Sequence, residues 1–136
     1  AIGAARKSIR IENGYVGDRQ IFEKLIDAKK RGVETVQIVA PARSNHPSVD
    51  RVLRKWVPAL LEAGVEVFLS PSMTHAKVMV VDDLLVTVGS ANLERFSLRV
   101  NNELNLVAID PTASLAASVL ERVFKPDIAQ AERIQT

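Results

Sequence analysis

The stretch Thr74-His75-Ala76-Lys77-Val78-Met79-Val80-Val81-Asp82 decides the fold, because it is a dense apolar run that also carries an imidazole and an ammonium. Alternation along a β-strand predicts that His75 and Lys77 share one face. Their Cβ atoms should then lie about 6.5 Å apart. The two groups are expected to converge on one small anion such as a phosphate group. A solvated pair at the end of an edge strand is the alternative.

The residues that follow predict a β-hairpin. Asp82-Asp83 forms its turn, and an apolar second strand runs over residues 84–88. Gly89-Ser90-Ala91-Asn92 ends this strand with small hydrogen-bonding side chains. The hairpin is therefore expected to bring Ser90 and Asn92 back beside the two basic groups.

A third strand is predicted over residues 104–109, opened by Asn101-Asn102-Glu103. Glu103 interrupts an apolar run there, and a carboxylate that is buried without a partner is strongly destabilising. A histidine N–H is a natural partner. Glu103 is therefore expected to accept a hydrogen bond from an imidazole.

Two short motifs carry the candidate chemistry. His75, Lys77 and Asp82 form H-x-K-x(4)-D, and Gly89-Ser90-x-Asn92 adds G-S-x-N. Together they resemble the HKD motif of the phospholipase D superfamily. With residues 101–106 included, the pattern looks most like the second half of a bacterial cardiolipin synthase. The resemblance spans most of the chain.

The rest of the chain alternates strands with helices, which argues for an α/β layered fold with a mixed central sheet. Strands are predicted over residues 7–12, 33–40 and 65–69, and helices over residues 18–31 and 48–63. A last helix is expected to start at Asp110-Pro111 and to stop at Pro126. The resemblance implies the same architecture: a layered α-β-α half in which helices flank the sheet. It also implies one domain over residues 1–136 that forms the C-terminal half of a two-motif enzyme.

Composition narrows the function classes. With 136 residues, of which 47% are hydrophobic and 25% charged, the chain is expected to be one soluble globular domain with a single core. The net charge of +2 is too small to imply that the protein binds nucleic acid. The absence of cysteine excludes thiolate chemistry. No apolar run is long enough to span a bilayer. Because the chain opens without methionine, we expect a piece of a longer protein.

The resemblance implies a catalytic role for five residues. His75 would either attack phosphorus, forming a phosphohistidine, or protonate the leaving alcohol, and the acid role is expected of a second half. Lys77 and Asn92 would hold phosphoryl oxygens. Glu103 would fix the tautomer of a histidine. Asp82 belongs to the motif, but along the strand it falls on the face opposite to that of His75 and Lys77. We therefore expect Asp82 to be a structural residue of the turn and a charge partner.

Three residues are expected to contact the substrate. Gly89 and Ser90 belong to the second motif, and Ser90 would hydrogen-bond near the phosphate or support the hairpin. Arg43 lies in the polar loop over residues 41–47, where a headgroup contact and a solvated loop both remain open. No metal or other cofactor is expected, because H-x-K supplies a cation where a metal site would supply another ligand.

The sequence offers one histidine in this setting, since His46 lies in what reads as an unrelated loop. The resemblance therefore implies a second H-x-K motif from another half or a homodimer partner. It also implies a phosphatidylglycerol-like phospholipid substrate and an association with the bacterial cytoplasmic membrane. One alternative is a homodimeric endonuclease or phosphodiesterase, which would bind nucleic acid through a basic groove. The other is a non-catalytic half that binds phosphate.

Overall fold

The computed structural model describes residues 1–99 and 101–135, with the side chains of all of these except Arg95 and Phe96. Its strands are β1 (Ser8–Asn13), β2 (Thr35–Pro41), β3 (Glu66–Ser70), β4 (Lys77–Val81), β5 (Leu85–Gly89), β6 (Asn105–Ile109) and β7 (Glu132–Arg133). Within the described residues they form one sheet in the order β6-β5-β4-β1-β2-β3-β7. β1, β2 and β3 are parallel, and the other pairings are antiparallel. The predicted mixed sheet is confirmed.

Helices cover both faces of this sheet. They are α1 (Arg19–Lys30), α2 (Pro47–Ala63), α3 (Arg95–Arg99), α4 (Ser114–Val119) and α5 (Lys125–Gln130), and a π-helical segment over Leu120–Phe124 joins the last two. The Asp18 carboxylate caps α1, as expected, by accepting from the N–H groups of Gln20 and Ile21. None of the helices in this description is long and apolar enough to cross a membrane.

One core lies between the sheet and the first two helices. Ile9 and Ile11 of β1 are fully buried there against Phe22 of α1. The Phe22 ring stacks on Trp56 of α2, with ring centroids 5.6 Å apart. Side chains of opposite strand parity, including Val39 and Val80, form a second core with Phe124 on the other face. The layered α-β-α arrangement is therefore confirmed.

The second core contains one acid. Glu12 of β1 is fully buried, and its strand neighbours on either side are Val39 and Val78. Burial raises the pKa of Glu12 to about 8, and the nearby carboxyl group of Asp127 acts in the same direction. Glu12 is therefore protonated in the folded protein at neutral pH.

Several predicted boundaries are wrong. β2 begins at Thr35, two residues later than expected, and α4 begins at Ser114 instead of at Asp110-Pro111. β4 begins at Lys77, so His75 lies just before the strand, and β6 begins at Asn105, one residue later than expected. The C-terminal helical stretch does not stop at Pro126, because this proline lies in the first turn of α5. Phe124 and Lys125 have helical backbone conformations, so the helical stretch runs without a break from the π-helical segment through this proline.

The two edges of the sheet differ in character. β6 exposes apolar side chains on both of its faces: Leu106 is 71% exposed and Ile109 is 70% exposed. The opposite edge is the short strand β7, where Arg133 pairs with Phe68 of β3. The N-terminal turn over Ile2–Ala4 lies beside the end of α1, where the Arg31 guanidinium donates to the Ile2 carbonyl.

Candidate active site

The carboxyl ends of β1, β2 and β3 lie at the same end of the sheet. This end, which is distinct from the lateral edges formed by β6 and β7, is here called the site edge. Because β4 is antiparallel to β1, the segment over residues 74–76 crosses this edge before β4 begins. The Gly14 N–H donates to the Ala76 carbonyl at 3.0 Å. A Cβ atom on Gly14 would collide with the Thr74 carbonyl oxygen. This close backbone contact places His75 beside the end of β1.

His75 and Lys77 both lie at the site edge. His75 is exposed to solvent, and the Lys77 ammonium donates to its backbone carbonyl at 2.9 Å. An ammonium has three N–H donors, so two remain for other acceptors. The two basic groups are thus presented together, although only Lys77 belongs to the strand.

The predicted hairpin is confirmed, and it carries the G-S-x-N motif to the site edge. Val78 pairs with Val88, so Lys77 and Gly89, the next residues outward, are neighbours. A Cβ atom on Gly89 would collide with the Asn105 side chain and the Leu104 carbonyl. Glycine at this position therefore allows β5 and the start of β6 to approach closely.

Glu103 has a different partner from the one expected. Its carboxylate accepts a hydrogen bond from the Ser90 hydroxyl instead of from an imidazole. The Ser90 oxygen in turn accepts from the Leu104 N–H at 3.0 Å. Ser90 thus links the end of β5 to the chain leading into β6.

Asp82 lies at the far end of β4 from His75. Its carboxylate accepts from the backbone N–H groups of Arg6, Lys7 and Ser8. Burial alone would raise the pKa of Asp82, but these donors together lower it below the ordinary value. Asp82 and Asp83 both adopt left-handed backbone conformations, with φ of 54° and 57°, in the three-residue connection over residues 82–84, where the Leu84 N–H donates to the Val81 carbonyl. These contacts accord with a structural role for Asp82.

A cavity of about 510 Å³ opens beside the site edge, between the start of α2, the loop after β1 and α3. Asn92 and Glu103 line it, and so does His46. The interpretation of the His46 loop as unrelated is therefore wrong. Arg43, in the same loop, is exposed and is not part of this cavity wall.

Tyr15 connects the two histidines. Its ring makes edge contacts with both, at centroid distances of 5.0 Å to His46 and 6.2 Å to His75. Its hydroxyl donates to the Asn45 side-chain oxygen, and the residue is only 6% exposed. An aromatic residue within the polar loop after β1 was the feature of the sequence that could have indicated that the Tyr15 loop belongs to the site.

Asn13, the last residue of β1, holds two loops together and was missed from the sequence. Its side-chain oxygen accepts from the Tyr15 N–H at 3.0 Å, and its amide nitrogen donates to the Ala91 carbonyl at 3.2 Å. The Gly17 N–H then donates to the Leu93 carbonyl at 2.7 Å. The Tyr15 loop and the G-S-x-N loop are thereby fixed side by side.

The structure brings the H-x-K and G-S-x-N motifs to the same end of a layered α-β-α sheet, as expected of a phospholipase D-type domain. The family model described as "Cardiolipin synthase, PLD-like domain" matches residues 1–128. The chain belongs to this family. In the part of the chain that the structure describes, no group of three or more His, Asp or Glu side chains is arranged to hold a metal ion.

Individual relatives agree with this assignment. The chain is 38% identical over 124 residues to a cardiolipin synthase of Geobacillus sp. (strain WCH70). It is 34% identical over 136 residues to cardiolipin synthase A of Pseudomonas putida (strain GB-1). These matches cover 88% and 98% of this chain but only 24% and 28% of the relatives. The chain therefore spans about a quarter of the length of these curated relatives.

Solved structures share the fold. Nuc from Salmonella typhimurium, described as a phospholipase D family member, superposes with a TM-score of 0.82 at 28% identity. That match covers 100% of this chain and 87% of Nuc. NucT from Helicobacter pylori, at 21% identity, matches with a TM-score of 0.75 and shows the fold alone.

Proposed function

We propose that this domain carries out phosphodiester exchange on phospholipids, either cardiolipin synthase-like phosphatidyl transfer or phospholipase D hydrolysis. The observation that supports the proposal most directly is the joint position of His75 and Lys77 at the site edge, in a domain of this family. Gly89, at the end of the neighbouring strand β5, and Ser90, which follows it, would contact the same phosphate. A phosphatidylglycerol-like lipid is the proposed substrate, which would bring the protein to a membrane surface.

The proposed chemistry needs two histidines. One imidazole attacks phosphorus, so that a P–N bond forms while the P–O bond to the leaving alcohol breaks. The other imidazole protonates the leaving oxygen, and the acceptor alcohol or water later displaces the first imidazole. His75 takes one of these roles, because the pKa of an imidazole lies near neutrality. The two free N–H donors of Lys77 and the amide of Asn92 would hold the phosphoryl oxygens.

The second histidine is proposed to come from another HKD half or from a second copy of this chain. His46 is followed by Pro47-Ser48, so it does not form a second H-x-K motif. Glu103 is proposed to orient a histidine in the assembled site. A carboxylate has several lone pairs, so its bond to Ser90 leaves capacity for an imidazole N–H.

The test compares substrates and variants. Both the 136-residue chain and the full reading frame that encodes it are incubated with phosphatidylglycerol vesicles and separately with DNA, and released glycerol, cardiolipin and cleaved DNA are measured. We expect turnover of the lipid and its loss in His75→Ala. Lys77→Ala should lower the rate by 100-fold or more, since an electrostatic donor of the transition state is worth about 10²–10³ in rate.

Lys24→Ala is the matched control, because Lys24 is an exposed lysine on α1. It should retain the full rate. Lipid turnover that survives His75→Ala would refute the proposal.

A second candidate is a single-domain endonuclease or phosphodiesterase that works as a homodimer. The match to Nuc supports it, because a domain of this kind makes up 87% of that solved chain. The net charge of +2 and the Glu103 carboxylate in the cavity wall disfavour a polyanion at this site. DNA cleavage without lipid turnover would select this alternative. A non-catalytic phosphate-binding half would show neither activity.

A further inference from the structure

Two of the residues that line the cavity beside Tyr15 each carry a buried polar atom that has no hydrogen-bond partner among the described residues. The hydroxyl of Ser97 is one of them, and Ser97 is only 5% exposed. The side-chain oxygen of Asn92 is the other. Both residues line the cavity. Because buried polar groups in proteins are almost always paired, these two atoms indicate a ligand with hydroxyl or amine groups.

The charge of the cavity wall indicates which kind of ligand. Glu103 contributes a carboxylate, and among the described side chains no lysine or arginine lines the wall. The guanidinium of Arg99 on α3 is instead paired with Asp18 at 3.0 Å. A phosphate group would be repelled here, whereas neutral hydroxyls would donate to the amide and carboxylate oxygens and accept from Ser97.

The size and position of the cavity agree with a headgroup. Its volume of about 510 Å³ lies in the usual range for small-ligand sites. Val49 and Val52 give it an apolar side, and His46 and Ser48 add polar groups at the start of α2. The Tyr15 ring lines the cavity and makes edge contacts with both His46 and His75. A phosphate held at His75 and Lys77 would thus have its headgroup within reach of the cavity.

We propose that this cavity is the subsite for the polyol headgroup of the phospholipid, with Ser97 and His46 as binding residues specific for a glycerol-type alcohol. The hydroxyls of the headgroup bond to the Ser97 oxygen and to the Asn92 side-chain oxygen. The Asn92 amide nitrogen remains directed to the phosphate. The inference rests on the proposed function, because it takes a phospholipid as the substrate.

The experiment measures binding, so it does not depend on turnover. Dihexanoylphosphatidylglycerol and dihexanoylphosphatidylmethanol carry the same acyl chains and the same phosphodiester charge, and only the first has headgroup hydroxyls. Titration calorimetry below the micelle concentration is expected to show roughly tenfold tighter binding of the glycerol lipid, from two net hydrogen bonds. Ser97→Ala should reduce this preference to about threefold and leave the affinity for the methanol lipid unchanged.

Two further variants make the test specific. His46→Ala changes the other wall of the cavity and should also reduce the preference, whereas its side chain makes no capping bond to α2 whose loss would disturb the helix. Ser114→Ala is the matched control, because Ser114 lies at the start of α4 on the opposite face of the sheet. It should leave both affinities unchanged.

The outcomes separate the inference from the function on which it rests. Equal binding of the two lipids, or a preference that survives Ser97→Ala, would overturn the subsite and leave the proposed function standing. Tighter binding of dihexanoylphosphatidylethanolamine than of the glycerol lipid would also overturn it, because the Glu103 carboxylate would then be selecting an ammonium. If neither diester lipid binds to the protein expressed from the full reading frame, the proposed function itself is overturned.

Discussion

Glu12 makes the stability of this protein depend on pH in a way that ordinary surface acids do not. In the unfolded chain it titrates near its ordinary pKa of 4.5, and in the folded protein burial and Asp127 raise this pKa to about 8. The folded state therefore binds more protons between these pH values. The stabilisation is complete below pH 4.5 and is lost as the pH rises toward 8.

Glu12→Gln should remove this dependence. We expect the free energy of unfolding of the wild type to fall by up to about 1.4 kcal/mol per pH unit through this range because of Glu12. The variant should lack this slope and be more stable than the wild type at pH 8. Urea denaturation at several pH values measures the difference. The control is Glu121→Gln, an exposed acid whose replacement should leave the slope unchanged. Equal slopes in wild type and Glu12→Gln would refute the assignment.

We predict that Asp82 contributes to the stability of the folded protein and not directly to catalysis. Asp82→Ala leaves three backbone N–H groups without their charged acceptor, which should lower the free energy of unfolding by about 2–3 kcal/mol. Because hydrogen bonding lowers the pKa of Asp82, its contribution is present above pH 3.8 and is lost on acidification. Thermal denaturation at pH 7 checks the loss.

The conservative variant Asp82→Asn keeps the left-handed turn and loses only the charge, so its loss of stability should be smaller. A stable Asp82→Ala protein that has lost its activity would instead indicate a direct catalytic role.

The individual side chains show how far the sequence could predict the site. Motif spacing was enough to place His75 and Lys77 at one end of the sheet. The partner of Glu103 and the position of His46 depend on how loops far apart in the chain pack against each other. Local periodicity contains no information about such packing, so the cavity between Tyr15 and α3 could not be predicted.

At the level of the secondary structure, the contact between the end of β1 and the segment over residues 74–76 controls the position of the imidazole. Gly14→Ala places a methyl group against the Thr74 carbonyl and must displace that segment. We expect the rate to fall about 10- to 100-fold, because small displacements of a reacting group are costly. The His75 imidazole resonances in an NMR spectrum should shift.

Gly3→Ala is the control for this change, since a Cβ atom on Gly3 has no neighbour within 4 Å. It should leave both the rate and the spectrum as they are. Unchanged His75 resonances in Gly14→Ala would contradict the positioning role of this contact.

Most strands and helices were predictable because each shows the periodicity and the end signals of its type. Asp18 caps α1, and the apolar stripes of α1 and α2 face the sheet as expected. The C-terminal stretch was harder to predict. Asp110 accepts hydrogen bonds from Thr112, Ser114 and Leu115, but the N-cap of α4 is Ala113 and not Asp110 as expected. The helix then widens into a π-helical segment and continues past Pro126. Packing on the second core overrides the usual stop signal.

For the molecule as a whole, the exposed apolar edge strand β6 is the surface that most favours self-association. An uncovered apolar edge strand promotes association between chains. Leu106→Glu should reduce self-association of the chain at high concentration, with a stability change within about 0.5 kcal/mol, as measured by light scattering and urea denaturation. Leu84→Glu introduces the same charge at the other end of β5 and should have little effect. Scattering that is identical in wild type and Leu106→Glu would contradict this prediction.

The direction of β6 also restricts how two copies can form a complete site. Symmetric pairing of two β6 edges would be antiparallel, so the site edge of one copy would lie at the far end of its partner. His75 and its counterpart would then be separated by the length of the strands. A homodimer with a shared phosphate site must therefore use a surface other than this edge.

The N-terminal turn and the end of β7 both leave the sheet on the side remote from His75. A fluorescent label, an affinity tag or a tether to a sensor chip at either terminus would therefore point away from Lys77 and Tyr15. Immobilised protein should accordingly bind lipid as freely as protein in solution.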